Sequence, residues 1–246
     1  MTLQSKPVQA SLLVTLPQEE SSASAAASRH FWQRVRDWLR PTTPWVALLG
    51  VDGSGKTTVL AALAESLATT PYTGLYVIHR RPRLAYHTPS QSGPISHYGK
   101  PPHTPFRSVL KLGAMGLDWL LGYWLQIRWR QAQGILVVAD RHAFLDLLAD
   151  PLRYRYAGPE WWVRLWLRLL PRPDAVILLD APVPVLQARK TELSVENAAA
   201  LRSAYLHLIK DVRSHVVIDA SQPLDQVVAQ VFQTIIATHH HPSAKT

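Results

Sequence analysis

The sequence of 246 residues predicts an α/β fold in which a parallel β-sheet lies between two layers of helices. Five short apolar runs rich in β-branched residues support this prediction, at positions 45–50, 74–80, 134–141, 175–180 and 215–221. Their apolar character is nearly continuous rather than alternating, which is typical of strands buried on both faces of a parallel sheet. Helical patterns separate the runs, and strands that alternate with helices indicate a three-layer sandwich.

Three of the helices are predicted from apolar residues that recur three or four positions apart. The first follows the run at 45–50, the second precedes the run at 215–221, and the third follows that run. The apolar positions that define these helices are Leu60, Leu63 and Leu67, then Leu201, Tyr205, Leu208 and Val212, then Val227, Val231 and Ile235.

Two further helical segments, 107–133 and 160–172, are rich in tryptophan and leucine. A transmembrane span needs ~20 apolar residues with few or no charges. Asp118 interrupts the first segment, and arginine and lysine lie at its ends. Both segments are therefore predicted to be buried or subunit-interface helices, through which the chain could form a homodimer. Contact with a membrane surface is the less favoured alternative.

The remaining segments define the domain organisation. Residues 1–29 include the low-complexity stretch SSASAAAS and predict a flexible arm. Residues 30–238 form the predicted α/β domain, in which the Pro-, Ser-, His- and Tyr-rich segment 84–106 is a long loop on the substrate side. Residues 239–246 begin with three histidines and predict a solvated tail.

Composition narrows the classes of partner. The formal net charge of +9 favours anionic partners such as nucleotides or phosphorylated small molecules. Nucleic acid is not expected, because the sequence contains no zinc pattern, RNP-like strand or concentrated basic block. The absence of cysteine excludes disulfides and thiolate metal sites. The first 30 residues lack the features of a signal peptide, so a cytoplasmic protein is expected.

The stretch GVDGSGKTT at 50–58 is a phosphate-binding loop placed between a predicted strand and a predicted helix. Its glycines allow backbone N–H groups to converge on phosphate, and the helix N-terminus adds its dipole. We predict that Lys56 reaches the β- and γ-phosphates of ATP and that the Thr57 hydroxyl binds Mg²⁺. The predicted cofactor-binding residues are Gly50, Gly53, Ser54, Gly55, Lys56, Thr57 and Thr58. The motif alone does not separate kinases, GTPases and ATPases, and it does not explain Asp52.

A second polar pair, Asp140 and Arg141, ends the run at 134–141. The strand beside a phosphate loop delivers an acidic residue to the metal, so Asp140 is a candidate metal residue. Arg141 lies where ligands bind to an open α/β sheet, and its planar guanidinium suits a phosphate group. Asp180 at the end of the fourth run is the competing carboxylate, and we interpret it as structural.

Taken together and in this order, GVDGSGKTT, VVADRHAF, PDAVILLDAPVPVLQARK and VVIDASQPLDQV resemble the thymidylate kinase family, from about residue 44 to 236. The resemblance implies a P-loop NTPase sandwich whose five-stranded parallel sheet has the order 2-3-1-4-5. It also implies Mg²⁺-dependent transfer of the γ-phosphoryl group of ATP to dTMP.

By the same resemblance, Asp52 corresponds to the loop aspartate that contacts the sugar of the acceptor. Arg141 resembles the arginine that holds the acceptor's monophosphate, and Asp140 its neighbour on the metal side. Arg80 or Arg81 resembles the arginine of an Arg-Glu-Pro stretch that follows the second strand.

Phosphoryl transfer also needs a positive charge on the migrating group. Some members of the family supply an arginine from within the loop, but Gly53 and Ser54 occupy the variable positions here. Arg189, with Lys190, is therefore predicted to act from a short lid at 189–196. The alternative is an ordinary basic end of a helix.

The sequence departs from the family where the acceptor base should bind. The family's Leu-Leu-Phe-x-Ala-x-Arg stretch is replaced by Gly116-Leu-Asp-Trp-Leu120, so the base pocket is missing or rebuilt. Tyr154 and Arg155 are the preferred substrate-binding residues in a rebuilt pocket, and a basic surface loop is the alternative. The full set of candidates is Arg83, His87, His97, Arg107, Arg153, Tyr154, Arg155 and Tyr156.

The predicted function is ATP- and Mg²⁺-dependent phosphorylation of a nucleoside monophosphate, with dTMP as the acceptor implied by the resemblance. The first alternative is a P-loop kinase that acts on another small-molecule acceptor. The second is a nucleotide-binding regulator without transfer activity. A GTPase would need an Asn-Lys-x-Asp stretch, which the sequence does not contain.

Overall fold

The computed structural model describes residues 32–33, 35–39, 41, 43–66, 70–82, 101–191 and 193–240. The chain consists of two units, Met1–Arg36 and Asp37–Thr246. The described residues of the first unit are helical. The predicted arm at 1–29 lies outside the described residues, as do most of the long loop and the candidates Arg83, His87 and His97.

Five parallel strands form the sheet of the second unit, in the order β2-β3-β1-β4-β5. The strands are β1 Trp45–Leu49, β2 Gly74–His79, β3 Ile135–Asp140, β4 Ala175–Asp180 and β5 His215–Asp219. All of them lie within the predicted apolar runs, and β1 is buried along its whole length. The predicted three-layer fold and its strand order are confirmed.

The helices lie between and after the strands. They are α1 Lys56–Glu65, α2 Pro105–Gly122, α3 Arg128–Ala132, α4 Ala143–Ala149, α5 Glu160–Leu169, α6 Val183–Arg189, α7 Val195–Ile209 and α8 Leu224–His240, with a π-helical turn, Tyr123–Ile127, between α2 and α3. The helix α2 begins before the predicted residue 107. Pro105 suits the first helical position, and the Thr104 hydroxyl accepts a hydrogen bond from the backbone N–H of Arg107 at 3.4 Å.

An aromatic cluster fixes α2 against the sheet. The ring of Trp119 lies 5.4 Å from that of Trp45 on β1 and 5.0 Å from that of His142. A Cβ atom on Gly116 would lie 2.4 Å from the ring of Trp166 on α5, so this position admits only glycine at the observed spacing. The inner face of α2 is thus a buried packing surface, as predicted.

None of the helices in the described part of the chain is long and apolar enough to cross a membrane. The outer face of α2 nevertheless exposes a row of apolar side chains, which are Phe106, Leu110, Leu117 and Leu121.

The parallel topology positions the functional residues. Asp140 at the end of β3 pairs in register with Leu48 on β1 and with His79 on β2. The phosphate loop begins directly after β1, and Arg80 follows β2. Because the carboxyl ends of parallel strands share one edge, these segments converge there.

Candidate active site

The phosphate loop has a backbone that requires glycine. Gly50, Gly53 and Gly55 have φ angles of +148°, +91° and +86°. A Cβ atom on Gly50 would lie 2.5 Å from Ser54 Oγ and 2.6 Å from the carbonyl oxygen of Leu179. The loop therefore packs directly on the end of β4 and delivers the chain to the N-terminus of α1, where backbone N–H groups attract phosphate.

Lys56 is the first residue of α1, and its side chain folds back onto the loop. Its Nζ atom donates hydrogen bonds to the carbonyl oxygens of Gly50 at 2.8 Å and Val51 at 2.9 Å, and to Ser54 Oγ at 3.2 Å. Burial, together with the positive charge of Arg141, lowers the pKa of Lys56 to about 7, against the opposing effect of nearby carboxylates. The ammonium group is thus poorly solvated and suited to a polyanionic ligand.

Asp52, the unexplained carboxylate of the motif, is held by two arginines. Nη2 of Arg141 donates a hydrogen bond to Oδ1, and Nη1 of Arg153 donates one to Oδ2 at 3.0 Å. Burial raises the pKa of Asp52, but Arg141, Arg153 and Lys56 outweigh this effect and hold the pKa at about 2. The carboxylate is therefore ionised throughout the neutral range.

Arg141 is the centre of a buried polar network. Its Nη1 atom donates a hydrogen bond to the Tyr205 hydroxyl at 3.3 Å and lies 3.7 Å from Oδ2 of Asp146. The Tyr205 hydroxyl in turn donates to Oδ1 of Asp146 at 2.8 Å. Burial lowers the pKa of Arg141, but the charges of Asp146, Tyr205 and Asp52 raise it overall. The guanidinium is fixed in position between two carboxylates.

The two carboxylate oxygens of Asp140 differ in their hydrogen bonding. Nδ1 of His79 lies 3.0 Å from Oδ2, whereas Oδ1 is buried and has no hydrogen-bond partner among the described residues. Burial raises the pKa of Asp140, but His79, Lys56 and Arg141 lower it overall. An orphaned carboxylate oxygen and the hydroxyl of Thr57 are the hard ligands that Mg²⁺ prefers, so these residues fit a magnesium site completed by phosphate oxygens.

No group of three or more histidine or acidic residues in the described ranges could hold a metal ion without further ligands. Mg²⁺ sites in phosphate-handling enzymes commonly combine one or two carboxylates with phosphate oxygens of the substrate.

The structure separates the two arginines that follow β2. Nη1 of Arg81 lies 3.3 Å from Oδ2 of Asp118 on α2, so Arg81 has a structural ion pair. The backbone of Arg80 has a φ angle of +64°, and its N–H group donates to the carbonyl oxygen of Asp140 at 2.9 Å. Its Nε atom is buried without a hydrogen-bond partner among the described residues. Of the two candidates, Arg80 is the one placed at the site.

The two arginines of the segment at 153–156 have different partners. Arg153 contacts Asp52, whereas Nε of Arg155 donates to the carbonyl oxygen of Pro101 at 2.8 Å. Arg155 has a φ angle of +53°, in the left-handed region. The hydroxyl of Tyr154 is buried and lacks a hydrogen-bond partner among the described residues.

The end of α6 packs against the phosphate loop. Nη1 of Arg189 donates to the carbonyl oxygen of Ala220 at 2.9 Å and lies 3.9 Å from the position of a Cβ atom on Gly55. The Cβ atom of Lys190 lies 3.4 Å from the corresponding position on Gly53. The structure thus brings the two predicted lid cations beside the two loop glycines.

Asp180 is interpreted from the sequence as a structural carboxylate, and its contacts agree with this interpretation. Its two carboxylate oxygens accept hydrogen bonds from Nε and Nη2 of Arg202, each at 2.7 Å. Such a bidentate pair uses both oxygens of the carboxylate. Asp180 therefore has less capacity for a metal than Asp140.

Two members of the site, Asp146 and Tyr205, were not among the predicted site residues. Asp146 is the single charged residue of α4, AFLDLLA, and a lone carboxylate in an apolar helix is a signal for a buried partner. Tyr205 occupies a helical core position, and nothing in its spacing distinguishes it from packing residues.

Comparisons with known proteins agree with this geometry. No family model matches the sequence. A probable thymidylate kinase 1 from Saccharolobus solfataricus is 28% identical over 203 residues, which cover 77% of this chain and 95% of the relative. A probable thymidylate kinase from Pyrobaculum aerophilum is 26% identical over 212 residues, covering 78% and 95%. The solved structure of a thymidylate kinase from Candida albicans aligns with a TM-score of 0.51 at 17% identity, covering 80% of this chain and 93% of that one.

The sheet order, the phosphate loop and the acidic residue on the adjacent strand define a P-loop NTPase fold. Within that fold, the chain is similar to thymidylate kinases over more than three quarters of its length. This similarity supports an enzyme of the nucleoside monophosphate kinase type.

Proposed function

We propose that the protein transfers the γ-phosphoryl group of ATP to the phosphate of a nucleoside monophosphate. The names of its relatives suggest dTMP as the acceptor, which gives dTDP and ADP. The main support is the position of Asp52, which lies inside the phosphate loop and is bound by both Arg141 and Arg153. Two guanidinium groups therefore lie beside the loop, where a second phosphate can approach the first.

In this proposal the donor phosphates lie on the backbone N–H groups of the loop and on Lys56. Thr57 and Asp140 would hold Mg²⁺, which supplies positive charge that offsets the charge of the transferred group when it is bound. Arg189 adds a further cation from the side of α6. These residues position and neutralise the reacting groups, which is most of the catalysis that phosphoryl transfer needs.

On the acceptor side, Arg141 and Arg153 bind the monophosphate and Asp52 keeps both guanidinium groups aligned. Arg80 is a third cation for this phosphate, because its Nε atom is buried without a partner among the described residues. Its backbone N–H group donates to the carbonyl oxygen of Asp140 at the end of β3, which supports this assignment. The acceptor phosphate is thus expected to be held by planar guanidinium groups.

A kinase for a non-thymidylate acceptor is the second candidate, and one observation favours it. Two residues of the stretch at 116–120, where the family has its base-stacking phenylalanine, pack into the core instead. Gly116 lies against Trp166, and only 1% of the Trp119 surface is exposed. This helix segment therefore offers no exposed aromatic ring at the expected position.

We further propose a homodimer that forms through the outer face of α2. Its row of exposed apolar side chains, Phe106, Leu110, Leu117 and Leu121, is of the kind that marks interaction sites. Sedimentation of the wild type and of Leu117→Glu tests this proposal. A monomeric wild type would contradict it.

The proposed reaction is tested by coupled ADP release against a panel of nucleoside monophosphates, with Lys56→Ala as the inactive control. We expect at least one monophosphate to stimulate ADP release in the wild type and none to do so in Lys56→Ala. Stimulation by dTMP alone would assign the thymidylate reaction. Tight ATP binding without stimulation by any member of the panel would contradict the proposal and favour a regulator.

A further inference from the structure

A concavity lies close to Arg153, because the next residue, Tyr154, lines it. The first turns of α2, the helix α4 and the segment that follows α4 form its walls. Its lining residues are His103, Ser108, Lys111, Leu112, Met115, Leu147, Tyr154 and Tyr156. Leucine and methionine make the floor apolar, whereas the rim contains a histidine, a lysine and two tyrosines.

Tyr154 connects this concavity to the acceptor site. It follows Arg153, which binds Asp52, and its hydroxyl is buried without a hydrogen-bond partner among the described residues. Burial raises the pKa of Tyr154, and the charges that act on it include those of Asp146 and Arg80. An acceptor whose phosphate lies on Arg141 would thus extend past Tyr154 into the concavity.

The rim of the concavity has a strong positive charge. Lys111 Nζ lies 3.5 Å from Nε2 of His103. Partial burial lowers the pKa of Lys111, and the neighbouring positive charges of Arg155, Arg107 and Arg81 lower it further. In the described part of the chain, no carboxylate forms an ion pair with Lys111, Arg107 or Arg155.

The sequence provides no local charge that could neutralise this rim. No aspartate or glutamate occurs between Glu65 and Asp118, although that interval contributes the α2 wall of the concavity. The segment 83–100, which lies outside the described residues, also contains no acidic residue. The basic residues of the interval are Arg80, Arg81, Arg83, Lys100, Arg107 and Lys111.

A neutral pyrimidine does not explain such a rim. Bases such as thymine are recognised by stacking and by hydrogen bonds at their edges, whereas clustered cations without counter-ions repel each other and favour an anionic ligand. The apolar side chains and the tyrosine rings of the lining offer contacts to the base of a nucleoside. The cations fit a negatively charged group at its far end.

We propose that Lys111, Arg107 and Arg155 form an anion-binding subsite and that the preferred acceptor is a nucleoside monophosphate with a second anionic group. That group is a carboxylate or phosphate on the base or on the sugar. This proposal rests on the proposed kinase function for the position of the first phosphate. It adds that dTMP, which has a single anionic group, is a weak acceptor.

Pairs of acceptors that differ only in the second anion test the subsite. Calorimetric dissociation constants are compared for dTMP and 5-carboxy-2′-deoxyuridine 5′-monophosphate, which replaces the methyl group of thymine by a carboxylate. They are also compared for dTMP and thymidine 3′,5′-bisphosphate. We expect at least one second anion to tighten binding by about tenfold or more, as charged hydrogen bonds do. The two pairs distinguish an anion on the base from one on the sugar.

Substitutions then test whether Lys111 and Arg107 cause the preference for a second anion. Lys111→Gln combined with Arg107→Gln should abolish the preference for the second anion and change the affinity for dTMP less than about threefold. Both side chains are exposed, so the variant should fold. Lys210→Gln is the matched control, because Lys210 is exposed at the end of α7, which leads into the start of β5 at the opposite edge of the sheet.

Equal affinities within both pairs would overturn the subsite, and so would a preference that survives the double substitution. Because binding is measured separately from ADP release, this result does not depend on turnover. Failure of every monophosphate to stimulate ADP release would reject the proposed reaction and leave the binding comparison valid.

Discussion

Asp52 of the phosphate loop and Arg141 after β3 form an ion pair between residues that are 89 positions apart in the sequence. The pair joins the loop, which binds donor phosphates, to the strand end that is proposed to bind the acceptor. Arg153 contacts the other oxygen of the same carboxylate. One carboxylate thus sets the spacing of two cations relative to the loop.

The first prediction concerns Asp52→Asn and acid stability. The pKa of Asp52 is lowered from its ordinary value of 3.8 to about 2, so its ionised form stabilises the folded state. This contribution is complete above about pH 4 and is lost as the pH falls towards 2. A shift of this size corresponds to about 2 kcal/mol. Asp52→Asn should therefore lower the free energy of unfolding in urea by about that amount at pH 7.

The difference between wild type and Asp52→Asn should narrow as the pH falls from about 4 to about 2, because the wild-type carboxylate becomes protonated in that range. A difference that stays constant with pH would show that the lost stability has a cause other than the charge of Asp52.

The second prediction separates the acceptor side from the donor side. Arg153→Gln should raise the KM for the acceptor by about tenfold, the loss expected for one charged hydrogen bond, and leave the Kd for ATP within about twofold of wild type. Lys210→Gln is the control, since Lys210 is exposed at the end of α7 and lies outside the acceptor site. Weakened ATP binding in Arg153→Gln would place this arginine on the donor side.

Arg141 is a poorer choice for the same measurement. It lies between Asp52 and Asp146, and Asp146 is buried. Removing it leaves buried carboxylates without a counter-ion, which typically costs about 3–5 kcal/mol. We therefore expect Arg141→Ala to unfold at clearly lower urea concentration, so that any kinetic effect includes a loss of structure.

The sequence was sufficient for the fold because each strand is marked locally by a continuous apolar run. The phosphate loop could be predicted equally well, since its glycines and Lys56 lie within one short segment of the chain. The position of Asp140 followed from the strand end on which it lies. These features depend on short segments, and short segments are what a sequence pattern records.

The rest of the site depends on contacts between distant segments. Arg153 and Arg155 are two positions apart in a basic loop, and only the folded structure shows that Arg153 contacts Asp52 whereas Arg155 contacts Pro101. Asp146 and Tyr205 meet because α4 and α7 pack side by side. Local spacing contains no information on such pairs, so the acceptor side was predicted less completely than the donor side.

The third prediction concerns proton uptake on ATP binding. Burial lowers the pKa of Lys56 to about 7, so the group is largely neutral at about pH 8.5 in the free protein. Phosphate favours the ammonium form, so binding should take up nearly one proton at that pH, and ATP affinity should fall as the pH rises above about 7. Calorimetry in two buffers of different ionisation enthalpy measures the uptake. Lys56→Met should show none, and equal heats for the wild type in both buffers would contradict the prediction.

The fourth prediction separates two roles of Arg189. If Arg189 supplies charge to the transferred group, Arg189→Gln should lower kcat by about 10²- to 10³-fold and leave the Kd for ATP nearly unchanged. Arg168→Gln, on the exposed side of α5, should leave kcat unchanged. If Arg189 only caps the end of its helix and binds Ala220, kcat should stay near wild type. Stability would then fall by about 1 kcal/mol.

The last prediction concerns the close contact between Gly116 on α2 and Trp166 on α5. This contact buries part of the stretch at 116–120, where a base-stacking residue was expected. A Cβ atom on Gly116 would lie 2.4 Å from the ring of Trp166, whereas one on Gly113 would meet no atom within 4 Å. Both glycines lie inside α2, so alanine gains helix propensity of about 0.8–1.0 kcal/mol at either position. Gly113→Ala should therefore stabilise the protein by up to that amount, measured as the urea unfolding free energy. Gly116→Ala should destabilise it by about 1–3 kcal/mol, because the large ring of Trp166 must move. If Gly116→Ala is as stable as Gly113→Ala, the close approach of α2 and α5 is wrong, and the stretch at 116–120 would be free to turn towards the acceptor.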